Sequence, residues 1–210
     1  MKILSCRPQH GSYLELSLEN GQIYDIHKEI AAKYELTYIT EISDNKLQEM
    51  LFDNSVRKAF HRALYLLEGQ SYSYHMMFLK LQNNYDENVC FEVMDRLTEL
   101  GVINDWKYAE NAARRAAEIK LYGPRRIRQI LYQKGIPKTV IDETVEPYTD
   151  NEYQTEQVTE LLYKKYSRML CDRNDKKQIE KCKAALVRMG YSYTPIAEAV
   201  KLYFENEESE

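Results

Sequence analysis

Over Tyr13-Leu14-Glu15-Leu16-Ser17-Leu18, apolar and polar side chains alternate with period two, the spacing of a strand buried on one face. Asn20-Gly21 follows, a pair suited to the positive φ angles of a type I′ turn, so Gln22 to Ile26 is expected to return as the second strand of a hairpin. Lys2 to Cys6 is a candidate third strand. Ile30, Ala31 and Tyr34 then mark a short helix, and Ser43 or Asp44 is placed to cap the next one, which carries Leu47, Met50 and Leu51. Residues 1–54 therefore read as a small β-containing N-terminal extension.

From Ser55 onward the period is helical, and the pattern recurs every 50 to 55 residues. Ile130, Leu131, Gly135, Ile141, Val145 and Tyr148 return 55 positions later as Ala185, Leu186, Gly190, Ile196, Val200 and Tyr203. A shift of 51 the other way reaches Leu79, Lys80, Asn84, Cys90, Met94 and Leu97, where Lys80 alone breaks the apolar pattern and Asn84 stands where a left-handed residue would end a helix. Each unit reads as a long first helix, a second helix ending at Asn84, Gly135 or Gly190, and a third. The first helices are expected over Ser55 to Glu68, Asp105 to Leu121 and Glu152 to Leu170, with Asn104 or Asp105 as a cap and Pro124 in a first turn, where its missing N–H is harmless.

The expected fold is mainly α: three tandem three-helix repeats over 55–103, 104–150 and 151–205 in an elongated array, preceded by the β-hairpin-containing extension. About 50 residues bury too little apolar area to stand alone, so neighbouring repeats are expected to support one another. Residues 206–210 read as an acidic tail.

Charge changes the picture locally. The chain carries −4 overall, but nine Lys or Arg against two Glu between Trp106 and Val140 give about +7 there. On the helix starting at Pro124, Ile127, Ile130 and Leu131 form the buried stripe, and Arg125, Arg128 and Tyr132 fall together on the opposite face. Arg114, Arg115 and Lys120 on the preceding helix extend it. Arg offers a fixed fork of donors to anionic oxygens, and Tyr can stack on a base, so this face suits phosphates or an acidic protein groove. A solvated helix face would have the same composition. The runs Arg57-Lys58, Lys164-Lys165 and Lys176-Lys177 are mixed with acids and read as solvated surface.

Catalytic chemistry has no visible seat. There is no Gly-rich phosphate loop, no Gly-x-Ser-x-Gly and no His-Glu-x-x-His, and His10, His27, His61 and His75 stand apart from one another. A non-enzymatic protein without cofactor or metal is expected. Cys6, Cys90, Cys171 and Cys182 form no Cys-x-x-Cys pair and read as reduced, buried thiols. No apolar run approaches the roughly 20 residues that span a bilayer, and Met1 to Pro8 has no signal-peptide core, which makes the cytoplasm the expected location. No heptad run argues for a dimer, so a monomer is expected.

Two stretches, LGVINDWKYA from Leu100 and YGPRRIRQILYQKGI from Tyr122, resemble the RecX family. The pattern there is a Gly, two apolar residues, usually two Asp, an aromatic-Ala pair, an Arg-rich helix and a Gly-Pro-basic-basic-Ile segment ending in Lys-Gly-Ile. Gly101, Val102, Ile103, Asp105, Tyr108, Ala109, Gly123, Pro124, Arg125, Arg126, Ile127, Lys134, Gly135 and Ile136 fit it. Asn104 stands where Asp is usual, and Leu121 where many members have Gly. The resemblance implies a protein that binds RecA filaments on single-stranded DNA, limits RecA's ATPase and strand-exchange activity, and has only weak DNA affinity of its own. The expected contact residues are Arg114, Arg115, Lys120, Arg125, Arg126, Arg128 and Lys134. The rival expectations are a helical nucleic-acid-binding module independent of RecA and an adaptor for another protein.

Overall fold

The computed structural model describes residues 1–207. Among them lie one three-stranded antiparallel sheet, ordered β1-β2-β3, and ten α-helices. They group into two compact units, residues 1–72 with 76–103, and residues 73–75 with 104–210.

In the first unit, β1 (Ile3–Pro8) pairs with β2 (Tyr13–Leu18), which pairs with β3 (Ile23–His27). The β2–β3 connection differs from the expected type I′ turn. Leu18 N donates to Gln22 O (2.9 Å) and Gly21 N to Leu18 O (3.0 Å), and only Gly21 has positive φ (80°). This is a three-residue loop closed by a left-handed glycine, and Asn20 keeps negative φ while its Oδ1 accepts from Gln22 N (3.0 Å). Leu16, Leu18 and Ile26 on the sheet's inner face pack against Ile30 and Ala31 of α1 (Lys28–Lys33) and Leu47 and Met50 of α2 (Asp44–Gly69).

Ser43 caps α2 by accepting from Lys46 N (3.3 Å), and the helix runs unbroken through the boundary expected at 54/55. Asn54, an indifferent helix former, is tolerated there because its amide is fully used. It accepts from His27 N (2.9 Å) and donates to Asp25 O (2.9 Å), which fastens β3 to the helix. Helices α3 (Tyr74–Gln82) and α4 (Glu87–Glu99) follow. In α4 the expected Cys90, Met94 and Leu97 are buried, but in α3 the buried residues are Met77 and Leu81, and Leu79 is exposed. Leu81 thus takes the core position expected for Lys80, the repeat spacing being one residue shorter in α3 than in α4. Asn84 is not left-handed; its N–H and that of Tyr85 both donate to Leu81 O, which ends the helix without positive φ.

The second unit contains α5 (Asp105–Arg114), α6 (Pro124–Gln133), α7 (Lys138–Val145), α8 (Asn151–Leu161), α9 (Lys176–Arg188) and α10 (Tyr193–Glu207). Both α5 and α8 are extended by one wider π-helical turn, Arg115–Ile119 and Leu162–Tyr166. Asn104 caps α5 by accepting from Lys107 N (3.0 Å). One buried cluster centres on Ala109, Ile127, Leu131 and Val145, another on Val158, Leu161, Leu186 and Ile196. Helix α10 takes in Asn206 and Glu207 of the expected acidic tail, and 208–210 lie outside the described residues.

Helix α6 is fixed at both ends by backbone. Gly123 N donates to Met189 O (2.9 Å) and Arg125 N to Gly190 O (3.1 Å), so N–H groups left over at the start of α6 are satisfied by carbonyls left over at the end of α9. The positive end of one helix dipole meets the negative end of another. A β-carbon on Gly123 would lie 2.5 Å from the carbonyl carbon of Gly190, and one on Gly190 would collide with the backbone nitrogen of Arg126. At the other end Lys134 O accepts from Ser73 Oγ (2.5 Å), and Gly135 lies so close to His75 that a β-carbon would overlap its side chain.

Not all the thiols are buried as expected. Cys90 and Cys182 are, and burial pushes the Cys182 thiol up to about 11, but Cys6 is half-buried and Cys171 is exposed in the turn before α9. In the native protein a water-soluble disulfide reagent is expected to modify Cys171 first, Cys6 more slowly, and Cys90 and Cys182 only in denaturant. Rapid native modification of Cys182 would contradict this burial. Gly101, also at positive φ (66°), has open space where a β-carbon would sit, so Gly101→Ala is expected to cost about 1 kcal/mol. Gly123→Ala is expected to cost more than about 3 kcal/mol in urea unfolding. Equal costs for the two would contradict the close backbone approach.

Candidate partner-binding face

The seven basic residues expected to make contacts do not form one surface of equivalent groups. Lys120 and Arg126 converge on one aromatic ring: Lys120 Nζ lies 5.9 Å, and the Arg126 guanidinium carbon 5.8 Å, from the centroid of Tyr122. Arg126 is further steadied by donating to Gln129 Oε1 (2.6 Å). Arg125 is exposed, its backbone held at the junction with Gly190. Arg114 is exposed and donates to Asn111 Oδ1 (2.8 Å), and Arg115 is exposed in the π-helical turn. Neither side chain shares a partner with Lys120 or Arg126 among the described residues.

Two of the seven are placed differently. Arg128 forms an ion pair with Asp142 that ties α6 to α7, leaving Arg125 and the 78% exposed Tyr132 on the outer face. Lys134 is half-buried beside the carbonyl that receives the Ser73 hydroxyl. The sequence reading passed over Tyr122, the ring that joins the two cations. Its signal was spacing: an aromatic two residues after Lys120 and four before Arg126, at the turn that reverses the chain.

Local chemistry explains that turn. The π-helical turn closes with Lys120 N on Arg115 O (3.4 Å), Tyr122 N donates to Ala116 O (2.9 Å), and Leu121 between them is left-handed (φ 52°). Such a conformation costs a non-glycine residue about 1 kcal/mol. Leu121 offsets this by burying its side chain in the cluster of Val158, Leu161 and Leu162, worth roughly 1.5–3 kcal/mol, while its carbonyl accepts from the buried Tyr191 hydroxyl (3.0 Å). Its departure from the usual Gly therefore trades backbone freedom for core contact.

The comparisons with known proteins follow this geometry. The sequence model for the second three-helix domain of RecX matches residues 104–145, which span α5 to α7. The regulatory protein RecX of Clostridioides difficile is 31% identical over 169 residues, covering 80% of this chain and 78% of that protein. This chain belongs to the RecX family. The RecX of Listeria welshimeri is 26% identical and takes in 99% of this chain and 77% of that protein, and the RecX of Geobacillus kaustophilus is 25% identical over 82% and 64%. A crystal structure of a regulatory protein RecX superposes with a TM-score of 0.75 over 95% of this chain and 98% of that one, at 23% identity. That of the Lactobacillus salivarius RecX gives 0.67 over 73% and 99%, at 25% identity. The mainly helical fold with its small N-terminal sheet is thus the RecX fold, and no helix among the described residues is long and apolar enough to cross a membrane.

Several RecX motif residues are structural in this chain. Gly123 makes the close approach to Gly190, Pro124 opens α6, and Ile127 and Ile136 are buried. Asp105 accepts from Tyr74 N (2.8 Å) and is partly desolvated. Burial raises its carboxyl above the usual range, with the Tyr74 N–H and the nearby His75 opposing the rise. The folded state therefore holds this proton more tightly than the unfolded one, and the group's contribution, full below about pH 4, is lost as pH rises through the folded value. Asp105→Asn keeps an acceptor and removes the charge. Its stability relative to the parent in urea unfolding is expected to be higher at pH 7 than at pH 4, while Asp105→Ala loses about 1–3 kcal/mol at either pH. A relative stability of Asp105→Asn that falls between pH 4 and pH 7 would contradict the burial of this carboxylate.

Proposed function

We propose that this protein binds RecA filaments on single-stranded DNA and limits RecA's ATPase and strand-exchange activity, acting in the cytoplasm as a monomer without a cofactor. Membership of a family of regulatory proteins supports the reading. The observation that carries it to particular residues is the convergence of Lys120 and Arg126 on Tyr122, a paired cationic site steadied by Gln129. Arg125, Arg114 and Arg115 extend the contact, and Arg128 and Lys134 serve mainly to hold α6. The three repeats over 55–103, 104–150 and 151–205 would each offer modest contacts that add up along successive filament subunits.

The test is RecA-dependent ATP hydrolysis on single-stranded DNA with the protein below stoichiometry to RecA. Suppression is expected, and Lys120→Glu/Arg126→Glu, folded by circular dichroism, is expected to need roughly tenfold more protein for the same effect. Absence of suppression by the folded parent protein would overturn the reading. If the protein acts instead as a nucleic-acid-binding module independent of RecA, it will bind single-stranded DNA alone with a steep salt dependence, about −0.7 per phosphate neutralised.

A further inference from the structure

A second cationic and aromatic surface lies in the first unit, on residues that the function proposed above does not use. Lys58, His61, Arg62 and Tyr65 stand at i, i+3, i+4 and i+7 on α2 and so share one face of the helix. With Tyr13 at the start of β2 and Tyr85 in the turn before α4, they line a shallow groove of 380 Å³ whose lining contains no carboxylate.

The cations here are arranged differently from most others in the chain. Lys33, Arg57, Arg96, Arg128, Lys164 and Lys183 each pair with a carboxylate. Lys58 and Arg62 take part in no ion pair among the described residues, and both lie over tyrosine rings instead: Lys58 Nζ is 5.3 Å from the Tyr13 centroid and the Arg62 guanidinium carbon 5.4 Å from that of Tyr65. The platform is firm. Val56, Ala59 and Ala63 on the other side of the same turns are buried, and Tyr13 is backed edge-on by His27, with ring centroids 5.5 Å apart. Tyr65, 64% exposed, leaves most of its ring free.

Cations one helical turn apart, about 6 Å along the axis, beside free ring faces form the pattern that binds single strands without sequence preference. The cations take phosphates and the rings take bases. A purely acidic peptide would satisfy the charges and leave the rings without a role. We infer that this groove binds single-stranded nucleic acid, with phosphates on Lys58 and Arg62 and a base stacked on Tyr65.

The experiment is fluorescence anisotropy of a fluorescein-labelled oligothymidylate of about 20 nucleotides with the full chain in low salt and no RecA, so its failure is distinct from failure of the filament reading. Lys58→Glu/Arg62→Glu is expected to weaken binding by roughly tenfold or more and flatten the salt slope by about 1.4, two phosphates' worth. Arg62→Glu alone, at an exposed position, is expected to give part of that loss with the melting temperature unchanged, which guards against misfolding of the double variant. Tyr65→Ala is expected to weaken binding at least about fivefold. Lys120→Glu/Arg126→Glu is expected to leave most of this binding intact. The inference fails if the folded parent does not bind the oligonucleotide, or if the folded Arg62 and double variants bind as the parent does. It fails also if Tyr65→Ala is without effect and polyglutamate competes as well as unlabelled oligothymidylate, which would assign the groove to an acidic protein segment.

Discussion

At Gly123 and Gly190 two stretches of backbone meet with no space for a β-carbon, and the second unit is organised around that contact. Two amides of the α6 start and two carbonyls of the α9 end satisfy one another, so two helix ends that would otherwise need capping side chains or water are closed by a single junction. Because α6 is held there and again at Lys134 and Gly135, its N-terminal turn cannot shift without breaking backbone hydrogen bonds. Arg125 and Arg126 project from that turn, and Lys120 and Tyr122 precede it by a few residues. A cationic site on a mobile loop would lose side-chain and backbone entropy on binding; here the backbone part of that cost is met in folding.

The paired and unpaired cations divide the basic residues by role. Arg128 with Asp142, and Arg57 with Glu29, join elements and gain little from further partners. Lys120 and Arg126, and in the other unit Lys58 and Arg62, rest on tyrosine rings, which attract a cation while leaving its donors available. This gives the high tyrosine content a use beyond shallow packing. With a net charge of −4 the chain as a whole does not favour polyanions, so contact with them depends on such local sites.

Much of the fold was legible in the residues because the relevant signals are local and periodic. Alternation over Tyr13 to Leu18, the recurrence of Ile141, Val145 and Tyr148 as Ile196, Val200 and Tyr203, and the glycines at 135 and 190 correspond to observed strands, buried faces and left-handed helix ends. What escaped was decided by contacts distant in sequence or by single-residue slips. The one-residue shift that buries Leu81 in place of Lys80 is invisible when α4 alone fixes the spacing. The unbroken α2 depends on Asn54 finding partners in β3, and the ion pair of Arg128 depends on α7 packing beside α6. The basic face was read correctly as a concentration of charge, but which cations are free is a tertiary fact. The Lys58 face went unread because its run contains acids in sequence that point elsewhere in space.

Native-state hydrogen exchange at the amides of Gly123 and Arg125 tests most directly whether the glycine junction holds the second unit together. The account predicts that both exchange only with global unfolding of that unit, as slowly as the amides in the middle of α6, since their acceptors lie at the far end of another helix and are lost only when the two part. Exchange of these two amides through a local opening, much faster than that of Leu131, would show that α6 is free to move at its start and would contradict the account.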